Sequence, residues 1–131
     1  MYQLVYSSRP FGFDISTLNN LLLDSRENNV RNELTGALIC RSDLYLQLLE
    51  GPKKNVLKTF DKIKLDDRHV EVNILISKDN NQRIFPNWAM KDDPVRSWMW
   101  SREQVANGEV LKTSPEKILN VFKRISIGRI Y

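Results

Sequence analysis

The chain has 131 residues, 41% hydrophobic and 27% charged, and its 20 Lys and Arg outnumber its 16 Asp and Glu for a net charge of +4. That length suits about one domain, with room for a real core but not for a catalytic domain and a sensor together. A single cysteine, Cys40, excludes an internal disulfide framework, and with a single histidine the chain offers no metal-ligand cluster.

Residues 2 to 7 alternate as a first strand. Met1 to Tyr6 lack the basic start and apolar core of a signal peptide, and no apolar run approaches the ~18 residues of a membrane span. With Cys40 filling core in the run Ala37 to Cys40, a soluble, cytoplasmic protein is expected. Asp14 can cap a helix over residues 15 to 28, with the apolar stripe Ile15, Leu18, Leu21 and Leu22. Continued by threes and fours, the stripe reaches Ser25, Asn28 and Asn29, so this face turns polar toward its end. An asparagine C-cap accounts for one of these residues but not for all of them.

Residues 34 to 41 read as a second strand, Arg41-Ser42-Asp43 as a turn and residues 44 to 50 as a third strand, which predicts a hairpin. Tyr45, Gln47 and Leu49 share one face of the third strand, and Leu44, Leu46 and Leu48 the other. Both faces are apolar enough to be covered, so the Gln47 amide is expected in a place where an unpaired polar group costs roughly 1–3 kcal/mol.

Gly51-Pro52 opens a second helix, with Pro52 at its first position and Val56, Leu57, Phe60 and Ile63 along one side; Asp66-Asp67 ends it. Residues 71 to 78 give a fourth strand with Val72, Ile74 and Ile76 inward, and residues 84 to 91 a short fifth one interrupted by Pro86-Asn87. The string is βαββαββ, an α+β, ferredoxin-like plan with a mixed five-stranded sheet and two helices on one face. The tail carries Pro94, Trp98, Met99 and Trp100, a short helix begun by Ser101 and stopped by Gly108, and a final helix from Ser114-Pro115-Glu116. Its stripe Ile118, Val121, Phe122 and Ile125 matches the free face Leu44-Leu46-Leu48, so the C-terminal helices are expected on the sheet opposite the first two.

Lysines and arginines are dispersed among acids without a basic helix face, which argues against nucleic acid, and Lys53-Lys54 make only a weak phosphate site. Two side-by-side helices, apolar at one end and lined with amides at the other, suit a flat heteroaromatic ligand with imide-type donors and acceptors on one edge.

The chain resembles the BLUF domains, flavin-binding blue-light sensors. The resemblance rests on Leu4-Val5-Tyr6-Ser7-Ser8, Asn28-Asn29, Leu34-Thr35-Gly36, Gln47-Leu48-Leu49-Glu50-Gly51, Asp66-Asp67-Arg68-His69 and Arg83-Ile84-Phe85-Pro86-Asn87-Trp88-Ala89-Met90, in the family's order and spacing. It covers residues 2 to about 92, which divides the chain into a core over 1–92 and a helical extension over 93–131.

The resemblance implies a noncovalent flavin, FAD or else FMN or riboflavin. Asn29 would pair with the N3/O4 edge of its ring and Asn28 with the O2 side. Leu21 and Ile63 would cover the ring faces. Lys62, where relatives often carry arginine, would lie with Asp66 and Ser25 around the O2 edge and ribityl chain; Arg68 and His69 belong to the same set, His69 more as a structural corner. It also implies that Tyr6 donates an electron and then a proton, that Gln47 rotates or tautomerises, and that Trp88 or Met90 relays the change. Tyr45 is a further candidate donor.

The expected protein is a photoreceptor, not an enzyme. With about 40 residues after the fifth strand, its signal would leave through an interface, to a downstream signalling protein, with a homo-oligomer also expected and no membrane or metal partner. The alternatives are a light-independent flavin or ligand adaptor and a small ferredoxin-like hydrolase, for which Arg9-Pro10-Phe11-Gly12 offers no convincing anion nest.

Overall fold

The computed structural model of the chain describes residues 1–12, 14–85, 89–92 and 100–127. Its elements are β1 (Tyr2–Pro10), α1 (Ile15–Arg31), β2 (Thr35–Cys40), β3 (Tyr45–Gly51), α2 (Lys53–Lys64), β4 (His69–Asp79), β5 (Ala89–Asp92), α3 (Arg102–Ala106), α4 (Glu109–Lys112) and α5 (Pro115–Ile127). Four antiparallel strands in the order β4-β1-β3-β2 form the body of the sheet, and the short β5 adds to β2 in parallel. This is the ferredoxin-like α+β plan expected from the element string. Trp88, Pro94, Trp98 and Met99 lie outside the described residues, as do the side chains of Ile15, Leu18 and Met90.

Strand parity sorts the core into two sides. Leu4, Tyr6 and Leu49 pack with Val56 and Phe60 of α2. The intervening positions Val5, Leu46 and Leu48 join Ala37, Ile39 and Leu44 on the opposite face, where Ile118, Val121, Phe122 and Ile125 of α5 cover them. Each such large apolar side chain contributes about 1.5–3 kcal/mol when fully buried, so the covered face is a substantial part of the stability.

Local chemistry sets the element ends. The Asp14 carboxylate accepts from the Thr17 N–H at 2.7 Å and starts α1. The helix runs to Arg31, and its capping asparagine is Asn32, whose side-chain amide donates to the Asn28 carbonyl at 2.8 Å. Neither Asn28 nor Asn29 is therefore spent on capping. Ser101 caps α3 in a reciprocal box with Gln104, and Gly108, at φ 76°, separates α3 from α4.

Four details depart from the sequence reading. Pro52 is the N-cap of α2, with extended ψ, rather than its first helical residue. Leu57 is 37% exposed while Thr59 is buried between Val56 and Phe60, so the inward stripe is rotated toward Thr59. In β4, Ile74 is 53% exposed and only Ile76 of the expected trio is fully buried. The reason is two register shifts against β1, with Glu71 at φ 57°, which break the period of two on which that trio was chosen. Of the expected fifth strand, Ile84 and Phe85 are not in a strand and Ala89–Asp92 form β5, while Pro86 and Asn87 lie outside the described residues.

Candidate functional site

Between α1, α2 and the sheet lies a cleft of about 160 Å³, lined by Leu21, Asp24, Ser25, Asn28 and Asn29 of α1, Thr59, Lys62 and Ile63 of α2, and Gln47, Asp66 and Arg68. A recess of about 30 Å³ shares Leu21, Ser25, Gln47, Ile63, Asp66 and Arg68 with it and adds Tyr6, Leu38, Tyr45 and His69. A larger groove of about 480 Å³ lies between the Ser7–Arg9 end of β1 and α3–α4. Its charged groups are already paired, Arg9 with Glu71 and Arg102 with Asp43.

Tyr6 and Gln47 face each other directly in the β1–β3 ladder, and the Tyr6 hydroxyl donates to Gln47 Oε1. Both are buried, at 4% and 3% exposure, so water does not compete for this bond. Burial is the main cause that pushes the Tyr6 phenol far above its ordinary value of 10.0, with Cys40 adding to it, and the phenol stays neutral. Because Gln47 Oε1 is engaged by Tyr6, what the amide has left to offer is its nitrogen, with two N–H donors. The Tyr6 ring is fixed by Phe60 at 5.6 Å and by His69 at 6.1 Å between centroids.

His69 Nε2 lies 2.7 Å from the Ile63 carbonyl, which can only accept, so this nitrogen carries the proton. Nδ1 then accepts from Ser8 Oγ at 2.7 Å. Both nitrogens are used to join β1, α2 and the start of β4, so His69 shapes the recess and offers no donor to the cleft. Tyr45 stands 6.3 Å from His69, on the same recess, with its phenol pushed up to about 12 by burial and then by Cys40.

At the other end of the cleft, Asn28 Nδ2 donates to Thr59 Oγ1 at 3.0 Å and to Asn29 Oδ1 at 3.3 Å, while Asn28 Oδ1 accepts from Asn32 at 3.1 Å. Asn29 is 2% exposed, and its Nδ2 is a buried donor without a partner. Such a group costs roughly 1–3 kcal/mol. An acceptor placed in the cleft removes that cost, which is what a flat ring with a carbonyl on its edge supplies. Leu21 and Ile63, both partly buried on facing helices, provide the apolar walls. The residues present therefore fit a flavin ring.

Arg68 closes one side. Its Nε donates to Asp66 Oδ1 at 2.9 Å and its Nη1 to Asp24 Oδ2 at 3.1 Å. The hydrogen bonds from Arg68 hold the Asp66 carboxyl below the usual carboxylate range, and the Asp66 carboxylate raises Arg68 in turn. Lys62 remains exposed at the cleft.

The structure thus gathers Tyr6, Gln47, Leu21, Ser25, Asn28, Asn29, Lys62, Ile63, Asp66, Arg68 and His69 around one connected hollow. The backbone of Met90 pairs with Leu38, which pairs with Gln47, so Met90 occupies the Tyr6–Gln47–Leu38 row two strands beyond Gln47. Sequence reasoning missed Asp24 and Thr59. Thr59 was accessible from spacing, since 56, 59, 60 and 63 form one helical stripe; the Asp24–Arg68 pair spans 44 positions and left no local signal.

A family model described as "BLUF: Sensors of blue-light using FAD" matches residues 1–91. Among curated proteins, the photoactivated adenylate cyclase subunit beta of Euglena gracilis is 28% identical over 74 residues, 56% of this chain and 9% of that protein. The chain thus spans a small fraction of the curated relatives it matches. Among solved structures, the BLUF protein BlrB in its dark state superposes with a TM-score of 0.78 at 21% identity, over 97% of this chain and 96% of that one. The photo-activated state of BlsA gives a TM-score of 0.80 at 22% identity, over 96% of this chain and 94% of that one. At these identities the two structures carry the fold. Among the described residues no helix is long and apolar enough to cross a membrane.

Proposed function

The chain belongs to the BLUF family of blue-light sensors using FAD, and we propose that within this chain Tyr6 and Gln47 are the switch that turns absorbed light into a changed hydrogen-bond pattern. The observation that carries this reading is the buried Tyr6 O–H bond to Gln47 Oε1 beneath the cleft. Asn29 and Asn28 would hold the polar edge of the flavin, Leu21 and Ile63 its faces, and Ser25, Lys62, Asp66 and Arg68 its surroundings. Bound flavin supplies a chromophore that blue light converts into a strong oxidant.

The residues of this chain do the rest. Tyr6 is the phenol placed to lose an electron to that oxidant, and its O–H already donates to Gln47 Oε1, the acceptor that can take the proton next. Gln47 carries a donor and an acceptor on one rotatable group, so reorienting it exchanges the N–H and C=O it presents. Once Tyr6 regains its electron and proton, the exchanged amide is held by hydrogen bonds that burial strengthens, until it reverts in the dark.

We further propose that the core is 1–92, that residues 93–131 form the extension, and that the output is a change in contacts with a partner protein. Cyclase activity is named only for the Euglena gracilis relative above. The reading is tested with purified protein. It should be yellow, with FAD in stoichiometric amount, and blue light should shift its flavin bands slightly to the red, reversibly in the dark. A Tyr6→Phe variant should bind FAD and lose the shift; a normal shift in that variant would refute Tyr6 as the donor.

A further inference from the structure

The β1–β3 ladder carries a second buried polar pair on the face away from the cleft. Gln3 lies opposite Glu50 just as Tyr6 lies opposite Gln47, three residues along both strands, which places the two pairs on opposite faces. Glu50 is fully buried, at 0% exposure, and its carboxylate accepts from Gln3 Nε2 at 2.9 Å, from the Ile84 N–H at 2.8 and 2.9 Å and from the Phe85 N–H at 3.0 Å. A carboxylate only accepts, so the Gln3 amide must present its NH₂ to it; Gln3 Oε1 is left buried without a partner. The Gln3–Glu50 arrangement is therefore set by Glu50 rather than by what would satisfy Gln3.

In sequence, the Ile84 and Phe85 amides held by Glu50 precede β5. Arg83, next to Ile84, donates to the Glu50 carbonyl at 2.9 Å and to the Glu33 carbonyl at 3.0 Å, which pins the same segment to the end of β3 and to the turn between α1 and β2. β3 thus reaches β5 by two routes. One is the row Gln47–Leu38–Met90 across β2. The other is the Glu50 carboxylate on the Ile84 and Phe85 amides, five and four residues upstream of Ala89.

We propose that Glu50 is a positioning residue that couples the Gln47 switch to β5, by fixing the chain entering β5 to the same strand that carries Gln47. This rests on the Tyr6–Gln47 reading above. The test is amide hydrogen exchange of the FAD-loaded chain in the dark and under continuous blue light, read at residues 84–92, for the parent and for Glu50→Gln. The flavin red shift is recorded on the same samples.

In the parent, exchange at Ile84, Phe85 and 89–92 should change on illumination. In Glu50→Gln the red shift should remain, because the substituted side chain faces away from the cleft. Dark exchange at Ile84 and Phe85 should rise about tenfold or more, and the difference between light and dark over 84–92 should collapse. A residue that merely supported the fold would raise exchange in both states and leave that difference in place, which would overturn the proposal. Loss of the red shift in the parent would instead count against the switch itself. Should Glu50→Gln yield no folded protein, the parent alone decides: identical dark and lit exchange at Ile84 and Phe85, in protein that does show the red shift, overturns the coupling.

Discussion

Replacing Asn29 with leucine should separate ligand recognition from folding. In the flavin-free chain, Asn29 Nδ2 is a buried donor with no partner, and its Oδ1 accepts one long bond of 3.3 Å from Asn28, which keeps its 3.0 Å bond to Thr59 when that contact is removed. An apolar side chain of the same shape therefore removes an unsatisfied group worth roughly 1–3 kcal/mol and gives up little, so flavin-free stability should stay within about 1 kcal/mol of the parent or rise. If Asn29 holds the flavin edge as proposed, the same nitrogen gains a partner with flavin bound, and its loss should weaken binding by about 1–3 kcal/mol, roughly 5- to 150-fold in Kd. Urea unfolding without flavin gives the first quantity, and quenching of FAD fluorescence during titration gives the second. Affinity within about twofold of the parent would refute the role given to Asn29. Destabilisation of the flavin-free protein by more than about 2 kcal/mol would show that its amide was satisfied by the protein itself.

Phe122→Ala should cost about 3–5 kcal/mol in urea unfolding, because Phe122 is 0% exposed between α5 and the sheet; a loss below about 1 kcal/mol would mean that α5 does not close that face. Gly36→Ala should cost about 3 kcal/mol or more, since the added Cβ falls 1.9 Å from the Leu48 carbonyl oxygen at a φ of 150° that an L side chain rarely adopts; a variant as stable as the parent would contradict the β2–β3 register. For Asp66, the folded carboxyl titrates below its ordinary value of 3.8, so its ion pair stabilises the protein above that value and the contribution is lost as pH falls through the depressed one. Asp66→Asn should therefore flatten the acid limb of unfolding free energy below about pH 4, and an unchanged limb would show that Arg68 does not stabilise the carboxylate.

The fold was legible where local rules and packing agreed. Alternation in β1 and β3 placed Tyr6 and Gln47 on the helix side, and the helical spacing of Ile118, Val121, Phe122 and Ile125 picked out the face of α5 that is buried. It failed where tertiary contacts override period. The two bulges of β4 turned Ile74 outward, which no count of apolar residues reveals, and Asn32 took the cap that the sequence offered equally to Asn28 or Asn29. In the site, Asn28 and Asn29 were visible as polar residues on an apolar stripe. Asp24 was not, because its partner Arg68 reaches it only through the packing of α1 beside the start of β4. Glu50 read as a strand end and is instead fully buried, its partners being backbone N–H groups that no side-chain pattern encodes.

The most direct test of the central claim is the light-minus-dark absorption spectrum of FAD-loaded Gln47→Leu beside the parent. Leucine keeps the volume and burial of the site but removes the amide that accepts from Tyr6. The parent should show a reversible red shift of its flavin bands, and Gln47→Leu, still yellow and folded, should show none. A shift of parental size in Gln47→Leu would contradict the account.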